Sequence, residues 1–298
     1  MRVAVTGSSG LIGSALVDAL RGDKIDVLRV VRRPAADSGE VQWDPTTGTI
    51  AGNAFDGVDA VVHLAGEGVA ERRWTPVQKQ KVLDSRVVGT TAIATACAAA
   101  TNGPSVLVSG SAIGFYGDTG DTATTESGPS GTDFLADLCR QWEGATAPAE
   151  ASGVRVVHCR TGIVQSRRGG QLGRQLLLFK LGLGGRLGNG RQWVSWISLE
   201  DEVRAIRFAI DTAAMRGPMN VTAPEPVTNR DYTKALARVV HRPAILPVPP
   251  FALRAILGRE LVDSITASQR IVPQALLDTG FEFAHPTIDE GLAWAVQA

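Results

Sequence analysis

Short β-branched apolar runs alternate with longer stretches of helical character through the first half of the chain. The runs fall at 2–6 (Arg-Val-Ala-Val-Thr), 25–31, 58–64, 105–109 and 154–159. Runs of this length rich in valine and isoleucine predict strands, and strands separated by helices predict a parallel sheet with helices on both faces. Thr75-Pro76 predicts a helix start, with a hydroxyl at the cap and proline in the first turn, and the helix continues to about Ala100. A second helix is predicted over about 132–147, with Pro148 marking its end or a kink.

The rhythm changes after residue 165. A stretch rich in glycine and arginine (166–174, then 180–193) reads as functional loop, and helices are predicted near 201–213, 229–241 and 250–258, set off by the proline-marked turns 223–226 and 246–250. The fold class is therefore α/β: a Rossmann-type doubly wound parallel sheet in 1–165, which later segments can complete, and a smaller, mostly helical substrate-binding region in 166–298.

Chemistry enters at the end of the first run. Val5-Thr6 breaks directly into Gly7-Ser-Ser-Gly10-Leu-Ile-Gly13, the context of a tight turn between strand and helix. Glycines there let the backbone approach a pyrophosphate, while the helix offers free N–H groups and the positive end of its dipole. An Asp or Glu about 20 residues further on usually takes the ribose hydroxyls of NAD. Here the second strand instead ends in Arg32-Arg33-Pro34. Two guanidiniums suit a 2′-phosphate held by bidentate, charge-assisted hydrogen bonds, which predicts NADP, with NAD the weaker candidate. The plain alternative is a solvated strand end.

Composition narrows the class without naming a chemistry. The chain has 298 residues, 44% of them hydrophobic, and 30 basic against 30 acidic side chains, so no global field argues for nucleic acid or a membrane surface. Three cysteines and four dispersed histidines make neither a disulfide framework nor a metal site. The first strand begins at Arg2, and no apolar run reaches the roughly 18 residues of a membrane span, which predicts a cytoplasmic protein.

Thr6-Gly-Ser-Ser-Gly-Leu-Ile-Gly13, Asp59-Ala-Val-Val-His-Leu-Ala-Gly66 and Val108-Ser-Gly-Ser-Ala-Ile-Gly-Phe-Tyr-Gly117, in that order, resemble an extended short-chain dehydrogenase/reductase. Gly66-Glu67, Arg73-Trp74-Thr75, the run 81–86, Gly190-Arg-Gln-Trp-Val-Ser-Trp196, the run 222–230 and the end from Pro247 resemble its atypical branch of sugar-nucleotide epimerases, which carries an extra C-terminal domain of unknown function. The resemblance implies that Gly7, Ser9, Gly10, Leu11, Ile12 and Gly13 line the pyrophosphate and that Arg32 and Arg33 meet the ribose phosphate. It also implies that Leu64, Ala65 and Gly66 border the adenine and ribose, and that Arg86 and Ser109 lie close to the cofactor. A nucleotide sugar or similar small polar molecule is the implied substrate. Pairing of two copies through long helices is implied too, and the alanine-rich 92–100 stretch would permit close helix contact.

One part of the pattern fails. The family's proton shuttle is a tyrosine with a lysine four residues later, the lysine lowering the phenol's pKa. Neither tyrosine has that lysine: Gly120 follows Tyr116 at the spacing, and Leu236 follows Tyr232. Alignment through Glu143 puts Leu135 and Cys139 in the two places. The remaining catalytic candidates are Ser111, with Ser109 its rival at the strand end, Tyr116 as the best phenol left, and Glu67 after the third strand as a base or a hydroxyl binder. On the substrate side, Arg174, Lys180, Arg186 and Arg191 suit a diphosphate, and Trp193 or Trp196 a stacked base or sugar, against the alternative of half-buried packing. Two functions fit: an epimerase/dehydratase-like oxidoreductase, or an NADP-sensing or regulatory protein that has lost catalysis.

Overall fold

A computed structural model describes residues 1–51, 53–249, 251, 254–255 and 258–298. The chain opens with β1 (Arg2–Thr6), α1 (Leu11–Gly22), β2 (Asp26–Val31), β3 (Glu40–Asp44), β4 (Thr49–Ile50), β5 (Ala60–His63) and α2 (Pro76–Ala99). It continues with β6 (Val106–Ala112), a 3-10 turn (Ile113–Tyr116), α3 (Phe134–Gly144), α4 (Ala147–Ala151), β7 (Arg155–Thr161), β8 (Ile163–Gln165) and α5 (Gly170–Lys180). The last part holds β9 (Trp193–Val194), β10 (Trp196–Ser198), α6 (Leu199–Asp211), β11 (Gly217–Val221), β12 (Val227–Thr228), α7 (Asn229–Val239), α8 (Arg259–Ile265), α9 (Gln274–Asp278) and α10 (Ile288–Gln297).

Eight strands form one sheet in the order β11-β7-β6-β5-β1-β2-β3-β4, parallel throughout except for the final β3–β4 pair. Side chains alternate between faces along a strand, so each central strand feeds two cores. Val3 and Val5 pack with Leu16 and Leu20 of α1 and Ile206 of α6, whereas Ala4 packs on the other face with Ile93 and Cys97 of α2 and Ala149 of α4. Strand order reverses between β1 and β5, which places a crevice at their carboxyl ends.

Five strands were expected, and all five are present, the first with its expected ends and the others within three residues of theirs. The eighth strand of the sheet, β11, comes from the second half of the chain, and its Gly-Pro start hides it from an apolar-run search. Two other expectations are corrected. Pro148 does not end a helix: α3 stops at Gly144, and Pro148 sits in the first turn of α4, where its missing N–H leaves no bond unmade. The 166–174 stretch is not all loop, since α5 begins at Gly170 and buries Leu172. Part of the helix expected over 250–258 lies outside the described residues.

A third core joins α5, α7 and α10, with Leu172, Trp196, Tyr232, Leu236 and Leu292 fully buried. Tyr232 donates to Gln165 Oε1 at 2.9 Å. The C-terminal segment is tied to the sheet side by Asp201, whose two carboxylate oxygens accept the backbone N–H groups of Ala284 and His285. Ala94 and Ala96 of the alanine-rich stretch of α2 pack onto the sheet. No helix among the described residues is long and apolar enough to cross a membrane.

Candidate functional site

The turn after β1 is built so tightly that two of its glycines, Gly7 and Gly13, are obligatory. Gly7 has φ +64°, and a Cβ there would lie 2.9 Å from the carbonyl carbon and oxygen of Leu64. A Cβ on Gly13 would stand 2.2 Å from the Gly7 carbonyl oxygen. Gly10 caps α1 with no side-chain hydrogen bond, so the first N–H groups of the helix are left for a ligand. The backbone therefore forms a cradle with the geometry a pyrophosphate requires.

Thr6 fastens the neighbouring strand end to this cradle. Its Oγ1 lies 2.8 Å from His63 Nδ1 and accepts the N–H groups of Leu64 and Ala65 at 3.1 and 3.2 Å. Burial, helped by the charge on Arg86, lowers the His63 pKa to about 3, so the imidazole is a neutral structural group.

On the β2 side, a carboxylate is present that the strand-end rule does not find. Arg33 donates through both terminal nitrogens to Glu40, the first residue of β3. Arg29 donates to the same Glu40 at 3.4 Å and, through Nε, to Ser8 Oγ at 3.2 Å, which links the glycine turn to β3. The hydrogen bonds from Arg33 and from the Ala36 N–H hold the Glu40 carboxyl below the usual range. Arg32 is exposed and has no hydrogen-bond or ion-pair partner among the described residues.

The third side of the crevice carries Gly66, Glu67 and Arg86. The Glu67 backbone is fixed at both ends, its N–H donating to Ser85 Oγ at 3.0 Å and its carbonyl accepting from Arg86 Nη1 at 2.9 Å. The Glu67 carboxylate has no partner among the described residues. Arg86 is buried, and its guanidinium lies 4.8 Å from the centre of the Trp142 ring.

Two catalytic candidates lie deeper than the sequence suggests. Tyr116 is 3% exposed; its hydroxyl donates to Asn220 Oδ1 at 2.6 Å and accepts from Arg160 Nη1 at 2.8 Å. Burial raises its pKa, so the phenol is a core group committed on both sides rather than a free acid. Ser111 donates to Glu143 Oε1 at 2.7 Å, and the Glu143 carboxylate is gripped by Arg160 through Nε and Nη2. This Ser111–Glu143–Arg160–Tyr116–Asn220 chain runs from β6 through α3 and β7 to β11, and only the assembled sheet brings it together. Ser109 is fully buried and turns to the Gly110 carbonyl. Leu135 and Cys139 face the 3-10 turn and β6, Leu135 lying against Gly114 and Cys139 pointing its Sγ at the Ala112 carbonyl.

The substrate-side candidates Arg174, Trp193 and Trp196 have separate protein partners. Arg174 donates to the Ala70 carbonyl at 3.2 Å, beside the loop after Glu67, whereas Trp193 is held by Asp121 and covered by Arg270. Trp196 is fully buried and donates to the Glu225 carbonyl, so it serves the core and stacks on no ligand. Among the described residues no three His, Cys, Asp or Glu side chains gather as a metal site, and the three cysteines are buried and unpaired.

Comparison with known proteins agrees with this architecture. The model of the NAD dependent epimerase/dehydratase family matches residues 3–222, and that of a domain of unknown function, DUF1731, matches residues 248–295. An epimerase family protein of Mycobacterium bovis is 50% identical over 293 residues, 98% of this chain and 97% of the relative. The crystal structure of human epimerase family protein SDR39U1 with NADPH superposes with a TM-score of 0.91 at 31% identity, over 100% of this chain and 99% of that one. A nucleoside-diphosphate sugar epimerase from Corynebacterium glutamicum gives a TM-score of 0.81 at 37% identity, over 99% of this chain and 59% of that one. The chain thus belongs to the NAD-dependent epimerase/dehydratase family, in the SDR39U1-like group of extended short-chain dehydrogenases that carries a DUF1731 segment at its C-terminal end.

Proposed function

We propose that the crevice between β1 and β5 binds NADP and that the protein is an oxidoreductase of epimerase/dehydratase type acting on a nucleoside-diphosphate sugar or a similar polar substrate. The observation that carries the reading is the glycine cradle, in which a Cβ on Gly13 would strike the Gly7 carbonyl at 2.2 Å. The 2′-phosphate falls to Arg32, just past β2 and without a side-chain partner among the described residues, and the human relative solved with NADPH supports the phosphorylated form. The Corynebacterium relative supports the substrate class.

When bound, the nicotinamide supplies the site that takes and returns a hydride. The chain's own groups hold, orient and handle the proton. Gly7, Gly10 and the start of α1 hold the diphosphate; Leu64, Ala65 and Gly66 border the ribose side. Glu67, its backbone fixed at both ends and its carboxylate free, takes the proton of the substrate hydroxyl. Incubation with NADP and a panel of nucleoside-diphosphate sugars, read by nicotinamide absorbance and product analysis, tests the reading. Turnover that Glu67→Gln abolishes without loss of dinucleotide affinity is the expected result.

A second reading, a dinucleotide-responsive binding protein without turnover, is favoured by one observation. The phenol beside β6, Tyr116, is buried and doubly bonded, and alignment with the family puts Leu135 and Cys139 in the places of the proton shuttle. Dinucleotide binding with no turnover of any substrate in the panel would select it.

A further inference from the structure

Six of the eleven large apolar side chains left exposed among the described residues fall in two short segments, 177–183 and 245–246. Leu177, Leu178, Leu181, Leu183, Ile245 and Leu246 are each between 49% and 81% exposed. The segments lie side by side. Val248 donates its N–H to the Arg186 carbonyl at 2.8 Å, Arg242 Nε donates to the Lys180 carbonyl at 3.2 Å, and a Cβ on Gly185 would run into the Leu246 carbonyl oxygen. The six side chains therefore make one patch, and a contiguous apolar patch on a surface marks an interaction where scattered leucines do not.

α5 is apolar on two opposite sides. Leu172, Leu176 and Phe179 face inward and join the third core. Arg174, Leu177, Leu178 and Leu181, spaced i, i+3, i+4 and i+7, share the other side, and all four are exposed. A helix that is apolar all round is normally covered all round, and here one side is bare.

Charge says what covers it. Over 166–199 the chain carries six basic side chains and no acidic one, and over 232–259 five basic and no acidic one, in a chain with 30 of each sign. Arg174, Lys180 and Arg242 border the patch, and none of them meets a carboxylate among the described residues. A second copy docked about a two-fold axis would set these cations against their own kind. A surface that offers apolar depth together with negative charge satisfies both features, and a bilayer with anionic headgroups is such a surface.

We infer that the outer side of α5 and the neighbouring loop at Ile245 seat this protein on an anionic lipid surface, the leucines entering the headgroup boundary and Arg174, Lys180 and Arg242 meeting lipid phosphates. The association is peripheral, since no helix among the described residues is long and apolar enough to cross a membrane. It does not depend on the dinucleotide reading. It does set the crevice beside the lipid, because Arg174 also donates to the Ala70 carbonyl, in the loop that follows Glu67.

Sedimentation of the purified full chain with vesicles tests this, using phosphatidylcholine alone and phosphatidylcholine mixed equally with phosphatidylglycerol, at low and high salt. The expected result is binding to the anionic vesicles about tenfold or more tighter than to the neutral ones, weakening as salt rises. Leu177→Asp combined with Leu181→Asp lowers that affinity about tenfold or more, and Lys180→Glu lowers it several-fold. Leu277→Asp, at an exposed leucine of α9 outside the patch, leaves it unchanged. Thermal unfolding checks that each variant keeps the fold, and Lys180→Glu carries the test if the double variant does not. No vesicle binding, equal affinity for the two vesicle types, or equal binding by wild type and the patch variants overturns the inference. Self-association of the wild type that the leucine variant abolishes, read by sedimentation velocity, also overturns it and makes the patch an interface between copies.

Discussion

Arg33 grips Glu40 through both carboxylate oxygens, at 2.7 and 2.6 Å, across the gap between the end of β2 and the start of β3. The pair divides two adjacent arginines into different roles. Arg33 is already occupied, and Arg32, exposed beside it, has no partner among the described residues.

Arg32→Ala weakens NADPH binding about tenfold or more and leaves NADH nearly unchanged, because only the 2′-phosphate needs the free guanidinium. Glu40→Gln releases Arg33 and raises the preference for the phosphorylated form. Isothermal titration of each variant with both dinucleotides checks both statements.

Gly13→Ala and Gly10→Ala separate cradle geometry from simple crowding. The Gly13 Cβ would meet the Gly7 oxygen at 2.2 Å, while the Gly10 Cβ would meet it at 3.2 Å, a contact a small shift relieves. Gly13→Ala abolishes dinucleotide binding and lowers the melting temperature; Gly10→Ala reduces affinity with little loss of stability. Thermal unfolding with and without dinucleotide distinguishes them.

Tyr116→Phe removes a hydroxyl that serves Asn220 and Arg160. The expected cost is about 1–3 kcal/mol of stability, the typical penalty for leaving a buried partner unsatisfied. Dinucleotide affinity stays as in the wild type. Denaturant unfolding with a parallel binding titration tests this, and loss of binding at full stability would return the phenol to the crevice.

Glu202 gives the fold a pH dependence. It is fully buried, with Thr161 donating to one oxygen at 2.8 Å and the other oxygen unpartnered among the described residues. Burial raises its pKa from 4.5 to about 8. The unfolded chain therefore releases this proton at lower pH than the folded one, and stability is highest below about 4.5 as far as this group is concerned. It falls as pH rises between those values and levels off above about 8, a total on the order of a few kcal/mol. Glu202→Gln removes this contribution; unfolding curves across that range, compared with wild type, show it as a flatter profile.

How much was legible in the sequence divides along a physical line. Local signals carried the five expected strands, the Thr75-Pro76 helix start and the glycine cradle, since each depends on neighbours in the chain. Thr75 does cap α2, accepting the Gln78 N–H, and Pro76 opens it. What needed the folded sheet was not legible. Glu40 reaches Arg33 only because β3 pairs beside β2, and Tyr116 is enclosed by Asn220 from β11, over a hundred residues later in the chain. The burial of Arg86 is likewise a property of packing: its spacing in α2 equally suits a solvated salt bridge, and the fold instead sets it between Gly66 and Trp142.

One calorimetric titration of the purified protein with NADPH, NADP, NADH and NAD tests whether this crevice holds a 2′-phosphorylated dinucleotide. Saturable one-to-one binding is expected, tighter for the two phosphorylated forms by about tenfold or more. Tighter binding of NADH and NAD would contradict the assignment of Arg32, and no binding of any of the four would contradict the cradle itself.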